Sequence, residues 1–131
     1  MPLSVDDQLS IQQLYARYNH AIDSGKADAW AACFTPEGTF ESPQGVFTGN
    51  EGLIGFAKGF HAQMKGKARH WTNNLVIEGN GGTASGTCYL VLNMGGEPGK
   101  PPSAAAAGIY LDQLAKQAGE WKFTRRAVAI D

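Results

Sequence analysis

Cysteine is scarce: the chain of 131 residues holds two, Cys33 and Cys88, each inside an apolar stretch and neither in a Cys-x-x-Cys pair. That excludes a disulfide scaffold and predicts reduced core thiols. Charge is also thin, at 18% of residues against about 25% in average soluble domains. Eleven basic side chains against twelve acidic ones leave a formal net charge of −1, so no positive excess exists to displace phosphate counterions, and nucleic acid is excluded as a partner. No apolar run approaches the roughly 18 residues that a membrane span needs. The start, Pro2-Leu3-Ser4-Val5-Asp6-Asp7, has no basic stretch leading into an apolar one. A cytoplasmic protein with no membrane partner is expected. A phosphate-cradling glycine loop, a His-Glu-x-x-His helix and a Gly-x-Ser-x-Gly elbow are all missing, and His20, His61 and His70 show no metal-ligand spacing. No metal site is expected.

What is present is glycine, 17 residues of it, and a 43% hydrophobic share. The length fits one domain spanning 1–131, large enough to bury an apolar core without covalent staples. Ile11, Leu14, Tyr15, Tyr18 and Ile22 recur at helical spacing and predict a helix over 5–23, with Ser4, Asp6 and Asp7 as candidate caps and Gly25 closing it. A two-turn helix is expected over 27–33, ended by Pro36, and an edge strand or short hairpin over 38–46. A third helix opens at Asn50 and Glu51 and closes at Gly66. Gly52, Gly55 and Gly59 lie about a turn apart along it, a small-residue seam that implies a close packing contact. Four long strands follow, over 68–77, 83–94, 105–115 and 121–130, with turns at 78–82 and 117–120 and a glycine- and proline-rich loop over 95–103. Helices first and strands afterwards predict an α+β domain, helices laid on one face of an antiparallel sheet.

The candidate chemistry is scattered. His70 lies in a strand where alternation places His70, Thr72 and Asn74 on one face and Arg69, Trp71 and Asn73 on the other. A curved sheet with helices over one end leaves a pocket at the other, where such polar residues meet a ligand; a hydrogen-bonded structural histidine is the alternative. Asp23 closes the first helix, at the negative end of its dipole, and wants a favourable partner there. Packed over the strand of His70, its carboxylate would accept the imidazole N–H, fix the tautomer and stabilise the imidazolium; a solvated residue of the turn at 23–25 is the alternative. Tyr15 and Tyr18 belong to the apolar stripe but carry a polar handle. Arg125 and Arg126 point to opposite faces of the last strand, so one can reach a pocket while its neighbour stays solvated, and Arg125 is carried as the candidate. Trp71, Asn74, Tyr89 and Tyr110 complete the candidate ligand-binding set, with Trp71, Tyr89 and Tyr110 alternatively plugging the interior themselves.

The landmarks 11–18, 21–25, 34–38, His70 with Asn73 and Asn74, 108–112 and 119–123 together resemble the SnoaL-like branch of the nuclear transport factor 2-like superfamily. The resemblance spans nearly the whole chain and implies a cone-shaped α+β fold: N-terminal helices packed on a curved, mostly antiparallel sheet that encloses a pocket. Asp23 and His70 look similar to the Asp–His pair of scytalone dehydratases, hexachlorocyclohexane dehydrochlorinases and bile-acid 7α-dehydratases. That implies a cofactor-independent lyase acting on a hydrophobic ring compound, with His70 removing a proton, Asp23 orienting it and Tyr18 polarising a carbonyl or leaving group. A ligand-binding or accessory module using the same pocket is the competing reading. The strand over 83–94 has no carboxylate matching the additional aspartate of the bile-acid enzymes, and Ser42 stands where related ketosteroid isomerases carry their base, which weakens an isomerase reading. A homodimer or homotrimer is expected, with a neighbouring subunit covering the pocket.

Overall fold

The computed structural model describes residues 2–131. Three helices, α1 (Val5–Asp23), α2 (Ala27–Ala31) and α3 (Gly49–Gln63), accompany six strands: β1 (Phe34–Ser42), β2 (Gly45–Thr48), β3 (Ala68–Asn80), β4 (Thr83–Met94), β5 (Ser103–Gln117) and β6 (Glu120–Ile130). The strands form one sheet in the order β2-β1-β6-β5-β4-β3. Every neighbouring pair is antiparallel except β1 with β6. The helices cover one face of this curled sheet, the α+β cone that the resemblance implied. Among the described residues no helix is long and apolar enough to cross a membrane.

Helix α1 starts where its capping chemistry dictates. The Ser4 hydroxyl accepts from the Asp7 N–H at 3.0 Å and the Asp7 carboxylate accepts from the Ser4 N–H at 3.4 Å, so two orphan donors are satisfied reciprocally. Asp7 also accepts from the Trp121 indole at 2.9 Å and pairs with Lys116 at 3.0 Å, tying the helix start to the β5–β6 hairpin. The stripe Ile11, Leu14, Tyr15, Tyr18 and Ile22 is buried. It meets Trp30, Phe34, Phe40 and Phe123 in a core of edge-on and tilted aromatic contacts, a geometry worth roughly 0.5–1.5 kcal/mol per pair beyond burial.

Three local expectations are corrected. Pro36 does not end a helix: α2 stops at Ala31, and Pro36 lies within β1. There the register with β6 jumps, Phe34 facing Phe123 and Thr39 facing Arg125, so the proline sits in a bulge where no ladder donor is required. The glycine seam of α3 meets a neighbour only at its start: a Cβ on Gly52 would touch the Phe47 backbone at 3.9 Å, whereas one on Gly55 or Gly59 would find no atom within 4 Å, and both of those lie on the exposed side. In β3 the register slips between Asn73 and Val76, with Asn74 at φ +56°. This bulge reverses the alternation, so Leu75 and Ile77 turn towards the core side while Asn74 is expelled to solvent.

Candidate active site

Asp23 is the last residue of α1 and His70 the third of β3, and the fold brings them together. The Asp23 carboxylate lies 2.6 Å from His70 Nδ1 and also accepts the His70 backbone N–H, at 3.0 and 3.2 Å. The acid at the unfavourable end of the helix thus finds its partner on the sheet edge, satisfying a backbone donor that no further strand could pair. Gly25 makes room for this junction. It turns the chain at φ +76°, and a Cβ there would sit 2.8 Å from the His61 ring. The side chains of His70 and Asp23 are only 8% and 13% exposed. Phe60 packs on the imidazole at 5.4 Å between ring centres. With Nδ1 engaged by Asp23, the other ring nitrogen has no hydrogen-bond partner among the described residues.

His70 is in the wall of a cavity of about 490 Å³ between α1, α3 and the curled sheet, open to solvent at its Pro43–Gln44 rim. The lining is mostly apolar: Phe40, Phe56, Phe60, Met64, Leu90 and Leu92 surround it, with Tyr18, Tyr110 and Ser42 among the few polar groups. Asp23 and His70 both line a larger external groove between α1 and β3, with Trp71 at its wall, so His70 has access to both the cavity and the outer groove.

Tyr18 and Tyr110 meet edge to face at 6.2 Å between ring centres, and burial raises both phenols, Tyr110 to about 12 and Tyr18 well above its ordinary value. Both therefore stay protonated and act as hydrogen-bond donors, not proton-transfer acids. Behind them lies Arg126, fully buried. Its guanidinium carbon stands 3.5 Å from the centre of the Tyr110 ring and 4.3 Å from that of Tyr18. Arg126 Nε lies 3.1 Å from Asp112 Oδ1 without hydrogen-bond alignment, since that oxygen and Arg126 Nε and Nη1 have no hydrogen-bond partner among the described residues. The other Asp112 oxygen accepts from the Tyr15 hydroxyl at 2.5 Å. Burial pushes Asp112 above the ordinary carboxylate range while Arg126 and Tyr15 pull it down. Burial disfavours the Arg126 charge, and Asp112, Tyr18 and Tyr110 outweigh it. We describe the pair as ionised, because a cation held 3.1 Å away is the strongest local reason for the carboxylate to stay charged.

The structure separates the remaining sequence candidates. Tyr110 joins Tyr18 in the cavity wall, whereas Tyr15 is spent on Asp112 and lies beside the external groove. Arg125 is corrected: it points outward and pairs with Glu41 at 2.6 Å, and Arg126 is the inward one. Trp71 and Tyr89 are 66% and 54% exposed on the outer face of the sheet, opposite the cavity, because they occupy the outward parity of their strands. Asn74 is removed from the cavity by its bulge. Sequence reasoning gave Asp112 no role, although it alternates with Tyr110 on β5 and shares its buried face; it lies in the core beside Arg126 and Tyr15.

A SnoaL-like domain profile matches residues 4–127. The chain belongs to the SnoaL-like domain family. No curated protein matches it in sequence. Among solved structures, this SnoaL-like chain is similar to a protein of unknown function from Mycobacterium tuberculosis, at 33% identity, 98% of this chain and 76% of that one, with a TM-score of 0.86. A nuclear transport factor 2-like protein with a cystatin-like fold from Novosphingobium aromaticivorans aligns at 20% identity over 96% of this chain and 82% of its own, TM-score 0.87. A Catenulispora acidiphila protein solved in complex with S-DNPA aligns at 24% identity over 98% of this chain and 96% of its own, TM-score 0.86. The last two show the shared fold.

Proposed function

We propose that this SnoaL-like protein is a cofactor-independent lyase of the dehydratase type, acting on a hydrophobic ring compound held in the cavity beside His70. The single observation that carries the reading is the 2.6 Å contact between Asp23 and His70 Nδ1, which leaves the opposite ring nitrogen available beside an apolar chamber. Neutral His70 takes a proton from a carbon next to the substrate carbonyl, and the C–H electron pair forms the new double bond as the C–O bond to the leaving hydroxyl breaks. The proton then passes from the imidazolium to the departing oxygen, releasing water and restoring His70. Asp23 holds the productive tautomer and offsets the transient positive charge. Tyr18 and Tyr110 donate hydrogen bonds to the carbonyl or departing oxygen as negative charge develops. The apolar lining strengthens those bonds by excluding water, and it sets the substrate class. That a structural relative was solved in complex with S-DNPA supports ligand binding by a protein of this fold.

The test is a panel of β-hydroxy cyclic ketones followed by ultraviolet absorbance of the conjugated product. Wild-type protein is expected to turn over at least one of them, and His70→Ala and Asp23→Asn each to lower kcat by at least about 100-fold, in line with the usual worth of a positioned general base. Wild-type turnover in either variant overturns the assignment. Ligand retention without product, unchanged by His70→Asn, overturns the lyase reading in favour of a binding module.

We further propose a homodimer or homotrimer built on the outer sheet face, where Trp71, Tyr89, Val91, Ile109 and Leu111 are exposed on neighbouring strands. Apolar exposure of this kind across three strands marks an association surface.

A further inference from the structure

On the side of α1 away from His70, a second external groove of about 680 Å³ runs between α1, α2 and the start of β6. Its floor is small and apolar, with Ala21, Ala29, Ala32 and the buried Cys33 and Trp121, and its walls are basic. Arg17 from α1, Lys26 from the α1–α2 turn and Lys122 from β6 all line it, against one carboxylate, Glu120. This is an inversion of the chain as a whole, which carries a net charge of −1.

The cations are also unspent. Lys67, Lys116, Arg125 and Arg126 each pair with a carboxylate, whereas Arg17, Lys26 and Lys122 form no ion pair or side-chain hydrogen bond among the described residues. Their charges converge. Arg17 and Lys122 line the groove from α1 and from β6 on either side of Cys33, and with the buried Arg126 they oppose the burial that raises its thiol to about 11. Basic groups held round a concave, low-dielectric surface focus their field into it and concentrate anions there.

We propose that this groove is a second ligand site, for a small amphipathic organic anion whose phosphate or carboxylate head sits between Arg17, Lys26 and Lys122 and whose apolar part lies on the alanine-lined floor. It is separate from the cavity beside His70 and does not depend on the lyase reading.

The test is a chemical-shift titration of the isotopically labelled full chain with octyl phosphate below its micellar concentration, with inorganic phosphate and octanol as comparators. Octyl phosphate is expected to shift the amides of Arg17, Lys26, Ala29, Ala32 and Lys122 in a saturable way, and to bind at least about 10-fold more tightly than either comparator. The double variant Arg17→Gln/Lys122→Gln, both at exposed or half-exposed positions, is expected to weaken it about 10-fold or more with an unchanged thermal melt, whereas His70→Asn leaves it unaltered. Absence of saturable shifts, shifts confined to the cavity beside His70, equal binding of octanol, or undiminished affinity in the double variant would each overturn the proposal. Loss of turnover in His70→Asn with this binding intact would separate the two sites.

Discussion

Arg126 has no exposed surface, and a buried charge persists only with compensating partners. Asp112 is its one carboxylate neighbour, so Asp112→Asn leaves a guanidinium among three tyrosines with nothing to balance it. We expect a loss of roughly 3–5 kcal/mol by urea denaturation, the usual cost of breaking a buried pair from one side, and a smaller loss for the apolar double replacement Asp112→Leu/Arg126→Met. Asp7 behaves in the opposite sense. Hydrogen bonds from Trp121, Lys116 and Ser4 depress its pKa below the ordinary 3.8, so its contribution to stability is complete above that value and is lost as the pH falls through the depressed one. The stability gap between wild type and Asp7→Asn should be open at neutral pH and close in strong acid. At this scale residue type and position left His70, Asp23 and Tyr18 each with a structural alternative, and it was the family resemblance that singled them out together. Arg126 was not legible, because alternation says that Arg125 and Arg126 differ without saying which parity is inward; a bulge elsewhere in β6, between Phe123 and Arg125 opposite Leu114 and Gln113, resets the count.

Strand β3 shows why elements read well in extent and poorly in face. Its start followed from β-branched and aromatic content, although it runs three residues past the expected end at 77, to Asn80, and one extra residue opposite β4 reverses every later side chain. Asn74 absorbs the bulge at φ +56°, a conformation that asparagine tolerates and a β-branched residue does not. Asn74→Gly is expected to stay within a few tenths of a kcal/mol of wild type, and Asn74→Val to cost about 1–2 kcal/mol, measured by chemical denaturation. The contrast between the two isolates backbone strain from side-chain contact, since Asn74 is exposed. Pro36 makes a related point: a residue that ends helices and strands in general is accommodated where the chain already bulges. The glycines of α3 suggested a contact that a neighbouring element provides only at Gly52.

For the molecule as a whole, the order of helices before strands made the α+β class legible, and the landmarks along the chain made the family so. The existence of a cavity was legible from helices covering one end of a curved sheet and from that resemblance, whereas its lining was not, because it depends on which aromatic rings stop short of the centre. The outer sheet face carries the whole-molecule prediction. Light scattering is expected to give the mass of a dimer or trimer for wild type, and Leu111→Glu, which places a charge at a 63% exposed position on that face, to shift it towards monomer; a monomeric wild type contradicts the association surface. The central claim is that His70, held by Asp23, removes a carbon-bound proton inside the cone. Its most direct measurement is deuterium incorporation next to the carbonyl of apolar cyclic ketones incubated with the protein in heavy water, because exchange reports proton removal even where no leaving group departs. The account predicts exchange above buffer for wild type, reduced at least about 100-fold in both His70→Ala and Asp23→Asn. Exchange at the wild-type rate in either variant, or none above buffer with any ketone, would contradict it.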